Sequence, residues 1–198
     1  NQLPTILMAG YEKETRRFLN DNPGLYSQVT VLELDALADP RVAANPAERG
    51  YYCKQNLFRA LKARAAADGY AVLLDGTNAS DDAGDRPGMR ALRELRVLSP
   101  LRICGITKKS LREYSRNAGL FTWNKPAYAC LATRIPTGTA ILAADLEKVE
   151  RAEGALSALG FRDFRLRLLD GNARIQVTEK QLALALEQRQ RVLDALKP

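Results

Sequence analysis

The chain has 198 residues, 46% hydrophobic and 27% charged, enough for one medium domain or a domain with a small appendix. No apolar run reaches the roughly 18 residues a membrane helix needs, and three cysteines are too few for a secreted disulfide framework. A net charge of +7 suits either plain solubility or an anionic partner, and the lack of histidine leaves any chemistry to Asp, Glu, Lys, Arg, Tyr or Cys.

The opening stretch NQLPTILMAGYEKE lacks the charged and apolar regions of a signal peptide, so with the sparse cysteines we expect a reducing cytoplasm. It does not begin with methionine, and residues are expected ahead of it. LPTILMAG, residues 3–10, reads as a buried strand, and EKETRRFLNDN has helical character. QVTVLELDAL, residues 28–37, alternates as a strand does. From Asn45 a loop leads into a helix with Leu57, Leu61 and Ala65 about a turn apart and Gly69 past its end. YAVLLDGTNASDD, residues 70–82, is a strand entering a polar loop. GMRALRELRV is a short helix, SPLRICGI a further strand, and KKSLREYSRNAG a helix capped by Thr107 or Ser110 and stopped by Gly119. This alternation predicts a parallel, doubly wound α/β sheet with ligands at the carboxyl ends of its strands. The pattern changes at RIPTGTAI, residues 134–141. A helix over 144–160 with Leu146, Val149, Leu156 and Leu159 inward, a hairpin around Asp170-Gly171 and a closing helix over 179–196 predict a small α+β unit. The expected domains are 1–135 and 136–198.

Three groups of residues carry candidate chemistry. The loop after Leu74 holds Asp75, Asp81, Asp82 and Asp85 with Arg86 and Arg90, and Pro87-Gly88 turns it into a helix N-terminus. Clustered carboxylates at a strand end suit magnesium held against phosphates, although a solvated acidic turn has the same composition. Cys130 lies between a proline-limited loop and Arg134, with Lys125 nearby. Cations favour a thiolate, whereas a free cysteine is often just a small buried hydrophobe. Arg165, Arg167 and Arg174 can share one face of the hairpin, as an anion site or as ordinary sheet surface. Cys104 sits in the predicted strand and reads as structural, and Trp123 and Tyr128 read as packing.

Four stretches then resemble one family: NPAERGYYCK, LLDGTNASDDAGDRPGMRA, TWNKPAYACLATRIPTGT and LGFRDFRLRLLDGNARI. They look like the LarE-type ATP-dependent sacrificial sulfur transferases of the PP-loop ATP pyrophosphatase superfamily, in order from about Leu34 to Arg191. DGTN is shared widely among PP-loop enzymes, and the run from Trp123 to Gly138 is the specific one. The resemblance implies a Rossmann-like ATP-binding domain and a smaller C-terminal domain. The implied activity adenylates a carboxylate of pyridinium-3,5-biscarboxylic acid mononucleotide and inserts sulfur, giving a thiocarboxylate for the nickel-pincer nucleotide cofactor. ATP and Mg²⁺ would be bound by Asp75, Gly76, Asn78, Asp81 and Arg86; catalysis would rest on Cys130, Cys53 and Arg134. Arg165, Arg167 and Arg174, with Glu153 on the preceding helix, would hold the substrate phosphate, alone or at a subunit boundary of a homo-oligomer.

One subtype of the family surrenders the sulfur of its own cysteine, leaving dehydroalanine. The other carries a three-cysteine [4Fe–4S] cluster, and ACLATR and the Cys53 of YYCK match that subtype. Gly50 stands at the first position of its CxxC pair, leaving Cys53 and Cys130 as two of three cluster ligands. The family's SGGxDS phosphate loop and its closing segment are absent from the sequence, which we expect to reflect truncation. A tRNA-thiolating PP-loop enzyme and a non-catalytic nucleotide-binding relic are the alternatives. The lack of zinc-ribbon cysteines argues against nucleic acid as the partner, and no membrane partner is expected.

Overall fold

The computed structural model describes residues 5–8, 12–25, 28–81, 87–125, 129–169 and 171–197. Ala9, Gly10, Asp82, Asp85, Arg86, Tyr128 and Asp170, all singled out above, lie outside them.

Strand β1 (Thr5–Met8) pairs in parallel with β2 (Gln28–Val31), and helix α1 (Glu12–Asp21) lies between them in sequence. Helix α2 (Pro40–Ala43) starts on Asp39, whose Oδ1 accepts from the Arg41 backbone N–H at 2.9 Å. Asp39 Oδ2 also accepts from Asn56 Nδ2 at 2.7 Å, which ties α2 to the long helix α3 (Arg49–Ala67). Helix α4 (Pro87–Glu94) packs against α3, and Ala91 and Leu92 of the one and Leu61 and Ala65 of the other are all buried. At Gly88 a Cβ would meet Lys54 Cδ of α3 at 3.0 Å, so only glycine fits there without displacing that side chain. Tyr51 Oη donates to Glu94 Oε2 at 2.7 Å, and Gln55 Nε2, one helical turn on, reaches the same oxygen at 2.7 Å, so the α3–α4 seam is closed by polar bonds as well as apolar ones.

The parallel sheet is present only in part among the described residues. Residues 70–73 form no ladder; the backbone meets its neighbour at one isolated parallel bridge, Leu74 to Leu98, with the Asp75 N–H donating to Leu98 O at 2.9 Å. SPLRICGI, expected as a strand, is instead a helical turn, α5 (Pro100–Ile103). Pro100 sits at the first helical position, where its missing N–H costs nothing, and Gly105 takes a φ of +69° just beyond the end. Cys104, expected in the buried strand, is therefore exposed. Helix α6 (Lys108–Asn117) is capped as expected, with Thr107 Oγ1 accepting from the Ser110 N–H at 3.2 Å, and Gly119 ends it at a φ of +69°.

The C-terminal third builds its own core. Helix α7 (Ala143–Ala158) buries Val149 and Leu156 completely, and Leu146 and Leu159 are half-buried. Strands β3 (Arg165–Leu169) and β4 (Asn172–Gln176) form an antiparallel hairpin in the register Arg165 to Gln176, Leu166 to Ile175 and Arg167 to Arg174. Val149, Leu156, Phe161, Leu166 and Val192 form one buried cluster. This hairpin is a separate sheet from β1–β2. The closing helix is broken into α8 (Leu182–Glu187) and α9 (Arg189–Ala195), after a 3₁₀ turn at Glu179–Gln181. Gln188 marks the break, and its Nε2 donates to Leu159 O at 3.3 Å, so the kink is anchored on the end of α7 and carries Val192 into the core.

Leu156→Ala removes a fully buried side chain from the centre of this cluster, and should lower unfolding stability by about 2–5 kcal/mol. Urea denaturation measures it, and an unchanged midpoint would mean that the cluster does not support the fold.

Candidate active site

The specific stretch of the sequence, Trp123 to Gly138, ends in a 3₁₀ turn at Leu131–Arg134 that Cys130 opens. Cys130 is exposed, and its carbonyl accepts from the Thr133 N–H at 2.9 Å and Thr133 Oγ1 at 2.8 Å. The turn is held from beneath by Arg134, which is 1% exposed. Arg134 Nε donates to Glu153 Oε1 at 2.7 Å and Nη2 to Oε2 at 3.2 Å, a two-pronged bond to a carboxylate that is 5% exposed. The Leu166 N–H donates to Glu153 Oε1 at 3.0 Å. Arg134 Nη1 reaches back to Thr133 Oγ1 at 2.9 Å. The expected thiolate-favouring cation and the expected phosphate-site carboxylate are thus placed against each other, under the cysteine turn.

A second clamp holds the loop from the side of α3. Asn45 is buried, with a left-handed φ of 55° that asparagine tolerates better than most residues. Its Nδ2 donates to Pro136 O at 2.8 Å and Thr139 O at 3.0 Å, and the Gly138 N–H donates to Asn45 O at 2.8 Å. Arg49 Nη1 donates to Asn45 Oδ1 at 2.6 Å and to Ala132 O at 2.8 Å. Neither residue was assigned a role in the site from the sequence, although both lie in NPAERGYYCK. Asn45-Pro46 ahead of a helix was the available signal, but its partners lie about 90 residues away.

Cys53 follows Arg49 by one helical turn and so lies on the same side of α3. Burial pushes its thiol up from the ordinary range, and the charge of nearby Cys130 pushes it the same way; Arg49 and Lys54 oppose them. Arg167 is half-buried, donating to Gln176 Oε1 at 2.6 Å and from Nη1 to Thr133 O at 3.4 Å, while Arg165 and Arg174 are exposed. The three arginines alternate with buried Leu166 and share the outer face of the hairpin, as the spacing predicts. The structure therefore brings Arg167 of the hairpin to the turn that Cys130 opens, and Arg49, one helical turn before Cys53, to the same turn.

The acidic loop is folded on itself. Asp75 Oδ1 accepts from Ser99 Oγ at 2.6 Å and from the Thr77 N–H at 3.2 Å, and Asp75 Oδ2 from Thr77 Oγ1 at 2.5 Å. Asp81 Oδ2 accepts from the Asn78 N–H at 2.9 Å, and Asn78 Oδ1 from the Ser80 N–H at 3.0 Å. Gly76 is exposed in this loop, and the loop's other contacts run to α5 and α6, with Arg102 Nη1 donating to Asp81 O at 2.9 Å. Two carboxylates on one loop are the hard oxygen donors that magnesium takes. A three-thiolate cluster fits less well: no group of three His, Cys, Asp or Glu able to hold a metal occurs among the described residues. The position that would complete it, Gly50, lies one helical turn before Cys53 and has open space where a Cβ would stand.

Two outcomes follow. Glu153→Ala leaves a buried guanidinium uncompensated and should cost about 3–5 kcal/mol in urea denaturation. The double variant Arg134→Met, Glu153→Leu should recover most of that loss, and failure to recover any would show that the charge pair is not the source. Gly50→Cys should take up iron and sulfide on anaerobic reconstitution and gain broad visible absorption that the native chain lacks. Equal spectra for the two would mean that three thiols do not converge here.

No family model matches the chain. Among curated proteins it is 38% identical over 152 residues to an uncharacterised protein of Synechocystis sp., covering 77% of this chain and 57% of that one. It is 33% identical over 149 residues to pyridinium-3,5-bisthiocarboxylic acid mononucleotide synthase of Lactiplantibacillus plantarum, covering 75% and 54%. An uncharacterised protein of Methanocaldococcus jannaschii is 32% identical over 139 residues, covering 68% and 54%. The chain spans about half the length of the curated relatives it matches. Over that shared stretch, the likeness to the synthase supports the LarE-type resemblance drawn from the sequence.

Proposed function

We propose that this chain is the sulfur-delivering part of an ATP-dependent transferase that converts a carboxylate of pyridinium-3,5-biscarboxylic acid mononucleotide to a thiocarboxylate, toward nickel-pincer nucleotide synthesis. The observation that carries this is the meeting of an exposed cysteine with a two-stranded arginine face around a doubly clamped turn. The name of the Lactiplantibacillus plantarum relative supplies the substrate class.

In this reading the sheet ends of residues 1–135 belong to a Rossmann-like PP-loop domain, and residues 136–198 form the smaller domain. Asp75 and Asp81, with Gly76, Asn78 and Arg86, would hold ATP, and the two carboxylates would hold a magnesium ion, which would neutralise charge on its phosphates. The substrate carboxylate attacks the α-phosphorus, releasing pyrophosphate and forming an acyl-adenylate. Arg165, Arg167 and Arg174 hold the mononucleotide phosphate, each charge-assisted bond contributing about 1.5–3 kcal/mol. The Cys130 thiolate then attacks the acyl carbon and expels AMP. A base then takes the Cys130 Cα proton as the Cβ–Sγ bond breaks, the electron pair of that bond leaving with the sulfur as the thiocarboxylate and dehydroalanine remaining on the chain. Arg134 and Glu153 act as positioning residues beneath the turn, and a homo-oligomer in the cytoplasm is the expected setting.

Cys130→Ser in the full-length protein should abolish thiocarboxylate formation, since serine carries no sulfur to give, while pyrophosphate release on substrate addition stays within about twofold of native. Thiocarboxylate produced at the native rate by this variant would remove Cys130 from the chemistry.

A further inference from the structure

The substrate class proposed above carries three anionic groups, a phosphate and two ring carboxylates, and the hairpin arginines answer to the phosphate. The other guanidiniums at the Cys130 turn are not equivalent. Arg134 is buried and already spends two nitrogens on Glu153. Arg49 is half-buried, and its hydrogen-bond partners among the described residues are neutral, Asn45 Oδ1 at 2.6 Å and Ala132 O at 2.8 Å. Nη1 makes both bonds, and Nε and Nη2 of the same planar fork make none to the described residues. The orientation of this fork is imposed from behind. Asn45 is buried and gives its amide hydrogens to Pro136 O and Thr139 O, which leaves its side-chain oxygen to Arg49. Arg49 and Arg167 grip consecutive carbonyls of the turn, Ala132 O and Thr133 O, but from different elements, α3 and β3. Arg167 shares its sheet face with Arg165 and Arg174, so Arg49 adds a cation that the hairpin set does not contain. A guanidinium fixed by neutral acceptors, with donors to spare, matches the planar geometry of a carboxylate.

We propose that Arg49 binds the ring carboxylate that is not being converted, and so selects diacid over monoacid mononucleotides. The assignment rests on the function proposed above. Both carboxylates sit on one aromatic ring, so with one of them at Cys130 the other stays within the width of that ring. Adenylation removes the charge of the reacting carboxylate alone. The second carboxylate stays ionised at the turn and opposes an approaching thiolate, and a cation bound to it offsets the repulsion. Asn45 is then a positioning residue for Arg49. A residue that only supported the turn would act on diacid and monoacid alike, whereas one that reads a carboxylate acts on the substrate that carries it. The ratio between the two substrates therefore separates recognition from support.

The test gives full-length native protein, Arg49→Gln and Arg49→Lys two mononucleotides, pyridinium-3,5-biscarboxylic acid mononucleotide and its pyridinium-3-carboxylic acid counterpart. Calorimetric titration yields the two dissociation constants, and pyrophosphate release the two kcat/KM values. Native protein should bind the diacid about tenfold or more tightly than the monoacid, the worth of one charge-assisted bond. Arg49→Gln should lose that preference through weaker diacid binding, bringing the two constants within about threefold. Arg49→Lys keeps the charge without the fork and should hold part of the preference. A preference that survives in Arg49→Gln, or a loss in that variant that is equal for both mononucleotides, overturns the proposal. Diacid turnover by native protein together with either result leaves the proposed function standing and removes Arg49 from substrate recognition. If native protein binds neither mononucleotide, the proposed substrate falls, and the role of Arg49 with it.

Discussion

A buried ion pair between Arg134 and Glu153 is the constraint around which the C-terminal half is arranged. Each charge would be costly alone in an interior that is otherwise Val149, Leu156, Phe161 and Leu166. Together, with the Leu166 N–H and Thr133 Oγ1 as further partners, they are accommodated, and three elements acquire a fixed relation. The turn that displays Cys130, helix α7 and the first strand of the hairpin all end on this one pair. A hydrophobic replacement of similar volume can match or exceed the stability of such a pair, so what the charges supply is directional geometry. Guanidinium and carboxylate planes meet in one orientation, and the orientation carries the turn with it.

The two clamps on the turn differ in what they demand of the chain. Arg134 and Glu153 are 19 residues apart and belong to one folding neighbourhood. Asn45 and Arg49 reach the same loop from more than 80 residues away. The long-range clamp therefore adds ordering that the C-terminal unit does not provide by itself, and it is the one that brings α3 and its cysteine to the site. Like charges also face each other here, since Arg167 and Arg174 are direct cross-strand partners. Such a pair weakens a hairpin in the absence of a counter-ion. Its presence on the outer face is a cost that an anion would offset.

Helices α3, α6 and α7 and the β3–β4 hairpin were legible because each has a local signature. Leu61 and Ala65 repeat at helical spacing, Thr107 caps, and Gly171 takes a φ of +76° where the hairpin turns. SPLRICGI was misread because Leu101 and Ile103 mimic strand alternation, while the stronger cue, proline one residue after a serine, marks a helix start. YAVLLDGTN was read as a strand, but a strand is defined by its neighbours, and among the described residues it makes one isolated bridge, Leu74 to Leu98. In the site, the cysteines and arginines were readable as residue types in a specific motif. The partnership of Arg134 with Glu153, and the roles of Asn45 and Arg49, were not. A side-chain bond across tens of residues leaves no periodic trace in the sequence.

Residues 70–74 have a further consequence for how this polypeptide behaves in a tube. Tyr70, Val72 and Leu74 are exposed, and so is Leu98 beside them. An exposed apolar segment that, among the described residues, meets a neighbour at a single bridge is a template for another copy of itself. The formal charge of +7 keeps copies apart at a distance, but that repulsion acts over about 10 Å at 0.1 M salt and shortens as ions are added. Colloidal behaviour is therefore set by a short-range adhesive stripe against a long-range repulsive field, and buffer ionic strength decides which of them a suspension of these molecules obeys.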